Sequence, residues 1–205
     1  ATAAFNDLIL EIVPGAGALR HRTALQELRC MRALATGVAR RVRVYPFARA
    51  GTPEARDTLV RMALREFRVL EGLGHPAVQR ALDYRDAEMG PALVFERDPG
   101  AVRLDRYLAE RHHTLALPER LALARQLAEA MGSAHSKRLF HRALAPQNIF
   151  VREPNGDVPR LQITNWQIAR RGEGSQTGGL MTAGTVHVED HLSDPAKLYA
   201  APEAD

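Results

Sequence analysis

The sequence predicts an α+β protein of two lobes, the first rich in strands and the second mostly helical. Two observations predict it. Short β-branched or alternating runs recur through residues 1–97, with one long helical pattern among them. From Asp98 onward the pattern changes to helices, placing the boundary near Arg97–Gly100. A length of 205 residues accommodates one large domain or two small lobes.

The elements follow in order. Leu8-Ile9-Leu10-Glu11-Ile12-Val13 is short and β-branched and predicts a strand, broken by Pro14-Gly15-Ala16-Gly17. Between Thr23 and Ala35, the spacing of Leu25, Leu28, Met31 and Leu34 suits a helix and is tolerated by a strand. Arg41 to Phe47 alternates polar and apolar, as a half-buried strand does. Thr52 with Pro53 predicts a helix start, the hydroxyl capping backbone amides and the ring preset for the first turn. That helix runs to about Gly72, with Val60, Ala63, Leu64, Phe67 and Leu70 to Leu73 as its apolar face. Gly74-His75-Pro76 ends it. Strands follow around Val78–Tyr84 and Ala92–Glu96, with Glu88-Met89-Gly90-Pro91 as the turn. A short helix is predicted over Leu104–Glu110 and a long one from Pro118 to Leu139, with Leu121, Ala124, Leu127, Ala128, Met131 and Ala134 inward. Pro154-Asn155-Gly156-Asp157 folds Ile149–Val151 against Leu161–Thr164 as a hairpin. Residues 172–185 are rich in Gly, Ser and Thr and read as a mobile loop.

Composition excludes several classes. Apolar residues make up 45%, enough for a core, and no run approaches the ~20 apolar residues of a membrane span. The single cysteine, Cys30, precludes an internal disulfide framework and fits a reducing cytoplasm; packing is its expected role. The net charge of +4 is spread among mixed signs, without the Lys/Arg stripe and interleaved aromatics of a nucleic-acid groove. Only Lys137 and Lys197 are lysines; every other basic residue besides histidine is arginine.

The stretch Phe140-His141-Arg142-Ala143-Leu144-Ala145-Pro146-Gln147-Asn148-Ile149-Phe150-Val151 has the outline of a catalytic loop whose acid is missing. It resembles the H-R-D-L-K-P-x-N loop of the eukaryotic-type protein kinases. Other pieces resemble that family in order. Arg65-Glu66 with Gly74-His75-Pro76 is similar to its regulatory helix and the turn after it, and Leu93-Val94-Phe95-Glu96 to its hinge strand. Ile163-Thr164-Asn165-Trp166-Gln167-Ile168-Ala169 resembles the strand carrying D-F-G, and Ala201-Pro202-Glu203 the A-P-E motif. A narrower resemblance, in Gly90 to Phe95, Arg103 to Leu108 and Arg138 to Asn148, is to the kinase-like domain of large bacterial phage-defence proteins of the PglW type. The resemblance implies a bilobal kinase-like fold. Residues 1–97 form the N-lobe, with 1–40 divergent. Residues 98–205 form a partial C-lobe ending at the A-P-E-type motif, as one piece of a longer chain.

The resemblance also implies where chemistry should sit. Kinase catalysis is positioning plus electrostatics around MgATP. The catalytic acid position is Ala143, which has no acceptor, and the loop lysine is Ala145. The metal-holding D-F-G acid is Asn165, a neutral ligand beside the retained Asn148; these two are the candidate metal and cofactor ligands, with Glu66 as the third cofactor-site residue. The nearest match to the phosphate-binding lysine is Tyr45, and no lysine precedes Lys137 to substitute. Arg41 or Arg43 offers only a longer, planar guanidinium. Four charges are therefore expected to be absent at once. The implied function is a catalytically inactive pseudokinase that binds a protein partner or another domain of its own chain. The alternative is an ATP-binding or weakly active Ser/Thr kinase, with MgATP as the one cofactor to expect.

Simpler expectations accompany these. Glu66 without a lysine is expected at the surface or between lobes, paired with an arginine. His141 and Arg142 are expected to brace the loop, and Trp166 to fill core or pocket. His187 and His191 flank acids in an expected exposed loop rather than a metal site, and Ser175, Thr177 and Thr182 are candidate phosphate acceptors with Arg142 as partner.

Overall fold

The computed structural model describes residues 2–5, 8–12, 22–23, 26–33, 39–153, 158–171 and Tyr199, with side-chain surroundings described from residue 40 onward. These residues divide into two compact units. The expectations for Pro14–Gly17, Cys30 packing, the 154–157 turn, Ser175, Thr177, Thr182, His187, His191 and Ala201–Glu203 lie outside them.

The first unit is an antiparallel sheet and one helix. Its strands are β1 (Thr2–Phe5), β2 (Leu8–Ile12), β3 (Arg22–Thr23), β4 (Gln26–Ala33), β5 (Ala39–Val44), β6 (Ala81–Arg85) and β7 (Ala92–Glu96), in the order β1-β2-β4-β5-β7-β6 with β3 beside β4. Within the ambiguous Thr23–Ala35 stretch, Gln26–Ala33 is a strand, because β2 and β5 each pair with β4, one on either side. The strand expected from Val78 begins at Ala81; Val78 belongs to the second unit, where it forms an isolated parallel bridge with Ile163. At the β6–β7 turn Gly90 has φ +127°, and a Cβ there would meet the Tyr45 carbonyl oxygen at 2.1 Å. Glycine is required for that close approach.

Helix α1 (Pro53–Gly72) begins where the sequence indicates, with Thr52 Oγ1 accepting from the Ala55 amide at 3.2 Å. Its buried stripe is Leu59, Met62, Ala63, Glu66 and Leu70. That corrects the face drawn through Val60, Leu64 and Phe67, which are half-buried flanks. A charged residue sits at the centre of the buried stripe, so counting only apolar residues rotates the face.

The second unit carries β8 (Val102–Arg103), α2 (Leu104–Arg111), α3 (Leu117–Ser136), β9 (Leu139–Phe140), β10 (Ile149–Arg152), β11 (Arg160–Ile163) and β12 (Arg170–Arg171). The hairpin expected of Ile149–Val151 forms, with Ile149 opposite Ile163 and Val151 opposite Leu161. Gln126 holds α3 to it, donating to the Pro159 carbonyl at 2.8 Å and accepting from the Leu161 amide at 2.9 Å. Helix α3 buries Leu123, Ala130 and Ala134, while Leu121, Ala124 and Ala128 are exposed, another correction to the expected inward face. With apolar residues on two sides, helical periodicity cannot choose between them. No helix among the described residues is long and apolar enough to cross a membrane.

Candidate functional site

Two polar clusters, one in each unit, hold the residues singled out from the sequence. In the first unit, strand alternation sends Val42 and Val44 to one face of β5 and Arg43 and Tyr45 to the other. Arg43 is 3% exposed, Tyr45 1% and Glu66 1%. Arg43 Nη1 donates to Glu66 Oε1 in a close ion pair, and the Tyr45 hydroxyl donates to Glu66 Oε2 at 2.6 Å. The Arg43 guanidinium also lies over the Phe95 ring, 5.3 Å from its centroid.

The surface position expected for Glu66 is corrected, since it is buried; the expected pairing with an arginine is met by Arg43. The cation facing Glu66 comes from Arg43, two residues before the Tyr45 position matched to the lysine. Tyr45 reaches the same carboxylate from the same strand face. Burial alone would lower the Arg43 pKa, but the Glu66 charge and hydrogen bond reverse this and hold it above its usual value. Burial, and then the Glu66 charge, push the Tyr45 phenol well above its usual value. It stays a neutral donor.

In the second unit the loop before β10 is tied to the turn after β11. His141 is buried and bonded at both ring nitrogens. The Thr164 carbonyl can only accept, so His141 Nε2 carries the proton and donates to it at 2.8 Å. The Ala143 amide can only donate, so His141 Nδ1 is bare and accepts from it at 3.2 Å. Burial lowers the imidazole pKa to about 4. Trp166, 1% exposed, stacks edge-on against His141 with ring centroids 4.5 Å apart.

Asn148 is 5% exposed and bonded through both side-chain polar atoms and its backbone carbonyl. Its side-chain amide donates to the Ala143 carbonyl at 2.5 Å, and its Oδ1 accepts a close bond from Asn165 Nδ2. Its backbone carbonyl accepts from the Thr164 amide at 2.8 Å and the Thr164 hydroxyl at 2.9 Å. Asn165 sits at φ 64°, ψ 52°, a left-handed conformation that Asn tolerates better than most residues. Ala143 and Ala145 are buried, so both methyl groups belong to the core of this unit. Among the expected site residues, the structure thus brings Ala143, Asn148 and Asn165 together in this unit, and Glu66 with Tyr45 in the other. Sequence reasoning missed Thr164, whose amide and hydroxyl both hold Asn148; a lone threonine carries no signal until its strand partner is known.

These parts define a protein-kinase-like fold with an altered catalytic loop. Residues 49–186 match the family described as protein tyrosine and serine/threonine kinase. The chain belongs to the protein kinase family. It is 38% identical over 183 residues to "Probable kinase PglW" of Streptomyces coelicolor, covering 80% of this chain and 12% of that protein. It is 31% identical over 140 residues to "Serine/threonine-protein kinase pkn2" of Myxococcus xanthus, covering 68% of this chain and 15% of that protein. "Serine/threonine-protein kinase PkaA" of Streptomyces coelicolor is 30% identical over 146 residues, with coverages of 71% and 24%. The chain therefore spans less than a quarter of the length of each of these relatives.

The family uses MgATP, and the donor set tests whether a metal fits this chain. Mg²⁺ favours carboxylate oxygens in near-octahedral geometry. Asn148 and Asn165 offer only amide oxygens, and Asn148 Oδ1 already accepts an N–H. Among the described residues no group of three or more His, Cys, Asp or Glu is placed to hold a metal ion. The residues do not fit Mg²⁺.

Proposed function

We propose that this is a catalytically inactive protein-kinase-like domain acting as a regulatory and protein-interaction module. The single observation carrying this reading is Ala143. The residue at the acid position of the loop is a buried alanine whose amide and carbonyl are engaged by His141 and Asn148. General-base assistance of about 10²–10⁴ in rate has no donor or acceptor side chain there. Asn165 supplies no charge to offset developing negative charge on a phosphoryl group. The likeness to the probable kinase PglW supports a place within a larger protein of that type, and with it a role in phage defence.

A second reading, a nucleotide-binding or weakly active Ser/Thr kinase, is favoured by the Arg43–Glu66 pair and by the retained Asn148. Incubation with γ-labelled ATP and Mg²⁺ separates the two. The expected result is no label on the protein itself or on a basic protein substrate above a heat-denatured control. Transfer above that control overturns the proposal.

A further inference from the structure

We propose that the Asn165–Asn148 amide bridge stands in place of a divalent cation, so that this loop and turn are closed without metal. The inference rests on the reading of this site as one that has lost its charge. Its test uses metal without nucleotide, so its failure and the failure of the functional reading are distinguishable.

The direction of the bridge is fixed by its neighbours. The Ala143 carbonyl can only accept, so the nitrogen of the Asn148 amide must face it, and does so at 2.5 Å. That leaves Asn148 Oδ1 on the opposite side, where Asn165 Nδ2 donates to it. The residue that would share a cation with Asn148 thus presents an N–H to Oδ1 rather than a second oxygen. Turning the Asn148 amide over would set two oxygens against each other at Ala143, so the oxygen is not released cheaply.

A carboxylate at position 165 would behave differently. Its oxygen would face Asn148 Oδ1, two acceptors in contact, and only a cation or a proton between them relieves that. Asparagine at this position both lacks the metal-attracting charge and supplies the missing donor. The same two segments are joined by the Thr164 amide and hydroxyl on the Asn148 carbonyl, at 2.8 and 2.9 Å, and by His141 on the Thr164 carbonyl at 2.8 Å. The tethering that a shared metal would supply is thus made by hydrogen bonds within the chain.

The test compares thermal unfolding of the wild-type chain and Asn165→Asp, in EDTA and in millimolar Mg²⁺. The wild-type midpoint is expected to be the same in both. Asn165→Asp is expected to unfold several degrees lower in EDTA and to recover when Mg²⁺ is added. A wild-type midpoint that rises with Mg²⁺, or a variant as stable as wild type in EDTA, overturns the proposal. Should the variant not fold, Mn²⁺ added to the wild-type chain decides by NMR. Asn148 and Asn165 side-chain amide signals that stay sharp support the bridge, and selective broadening of them refutes it.

Discussion

Replacing Arg43 with Met is expected to destabilise the protein by about 3–5 kcal/mol, measured by urea unfolding. The size follows from what remains behind. Glu66 is 1% exposed, and without Arg43 its charge keeps only the neutral Tyr45 hydroxyl as partner among the bonds described above. Removing one member of a buried pair leaves an uncompensated charge in a medium that solvates it poorly. The pair itself need not be strongly stabilising, because desolvating both ions offsets much of their attraction. Hence a second expectation: adding Glu66→Met to Arg43→Met restores most of the loss, a large coupling in a double-mutant cycle. The exposed pair Arg125–Glu129, whose side chains are 80% and 50% exposed, is the control. Arg125→Ala should leave stability essentially unchanged. If Arg43→Met costs as little as the control, the buried pair does not anchor α1 to β5.

The second large effect is pH dependence from His141. In the folded protein its pKa lies at about 4, below the ordinary 6.5, because the ring is buried. A depressed folded pKa means the unfolded chain takes up the proton first. The stabilising contribution is fully present above about pH 6.5 and is lost progressively as pH falls towards 4. The difference between those two values amounts to about 3 kcal/mol. Protonation also has a structural consequence: a proton on Nδ1 would face the Ala143 N–H, destroying that bond. Imidazole signals followed by NMR check this directly. His141 should stay neutral down to about pH 4. Titration near its ordinary value would mean that the ring is not sealed against Trp166 and Thr164.

How much of this was legible in the sequence differs from element to element. The start of α1 was readable because Thr52 and Pro53 act locally, through one hydroxyl and one fixed torsion. The β10–β11 hairpin was readable because two short apolar runs flank a turn-forming tetrapeptide. The strand character of residues 26–33 was not, since an apolar spacing of three suits a helix and is only tolerated by a strand, and the neighbours β2 and β5 decide. The arginine pairing of Glu66 was anticipated, but its burial was not, because a one-dimensional pattern equates charge with exposure. Its partner lies 23 residues away, on a strand whose facing side is known only once the sheet is built. The lysine inventory shows that no lysine is available there, yet it conceals that an arginine pairs with Glu66. In the second unit Ala143, Ala145 and Asn165 were matched by resemblance to the charged positions of the kinase loop and turn. That Asn165 and Asn148 satisfy one another was not legible, because it depends on the left-handed backbone at Asn165 and on which way each amide faces.

On the proposed reading, the two clusters hold the kinase framework together without a ligand. Each is closed by the chain's own groups: Arg43 and Tyr45 on Glu66, and Thr164, Asn165 and Ala143 on Asn148. Neither requires a ligand to complete its hydrogen bonding. The most direct test is thermal unfolding across a MgATP titration, since a ligand that binds only the folded state raises the midpoint. The account predicts a midpoint unchanged up to millimolar MgATP. A rise of several degrees that is lost in Asn148→Ala would contradict it.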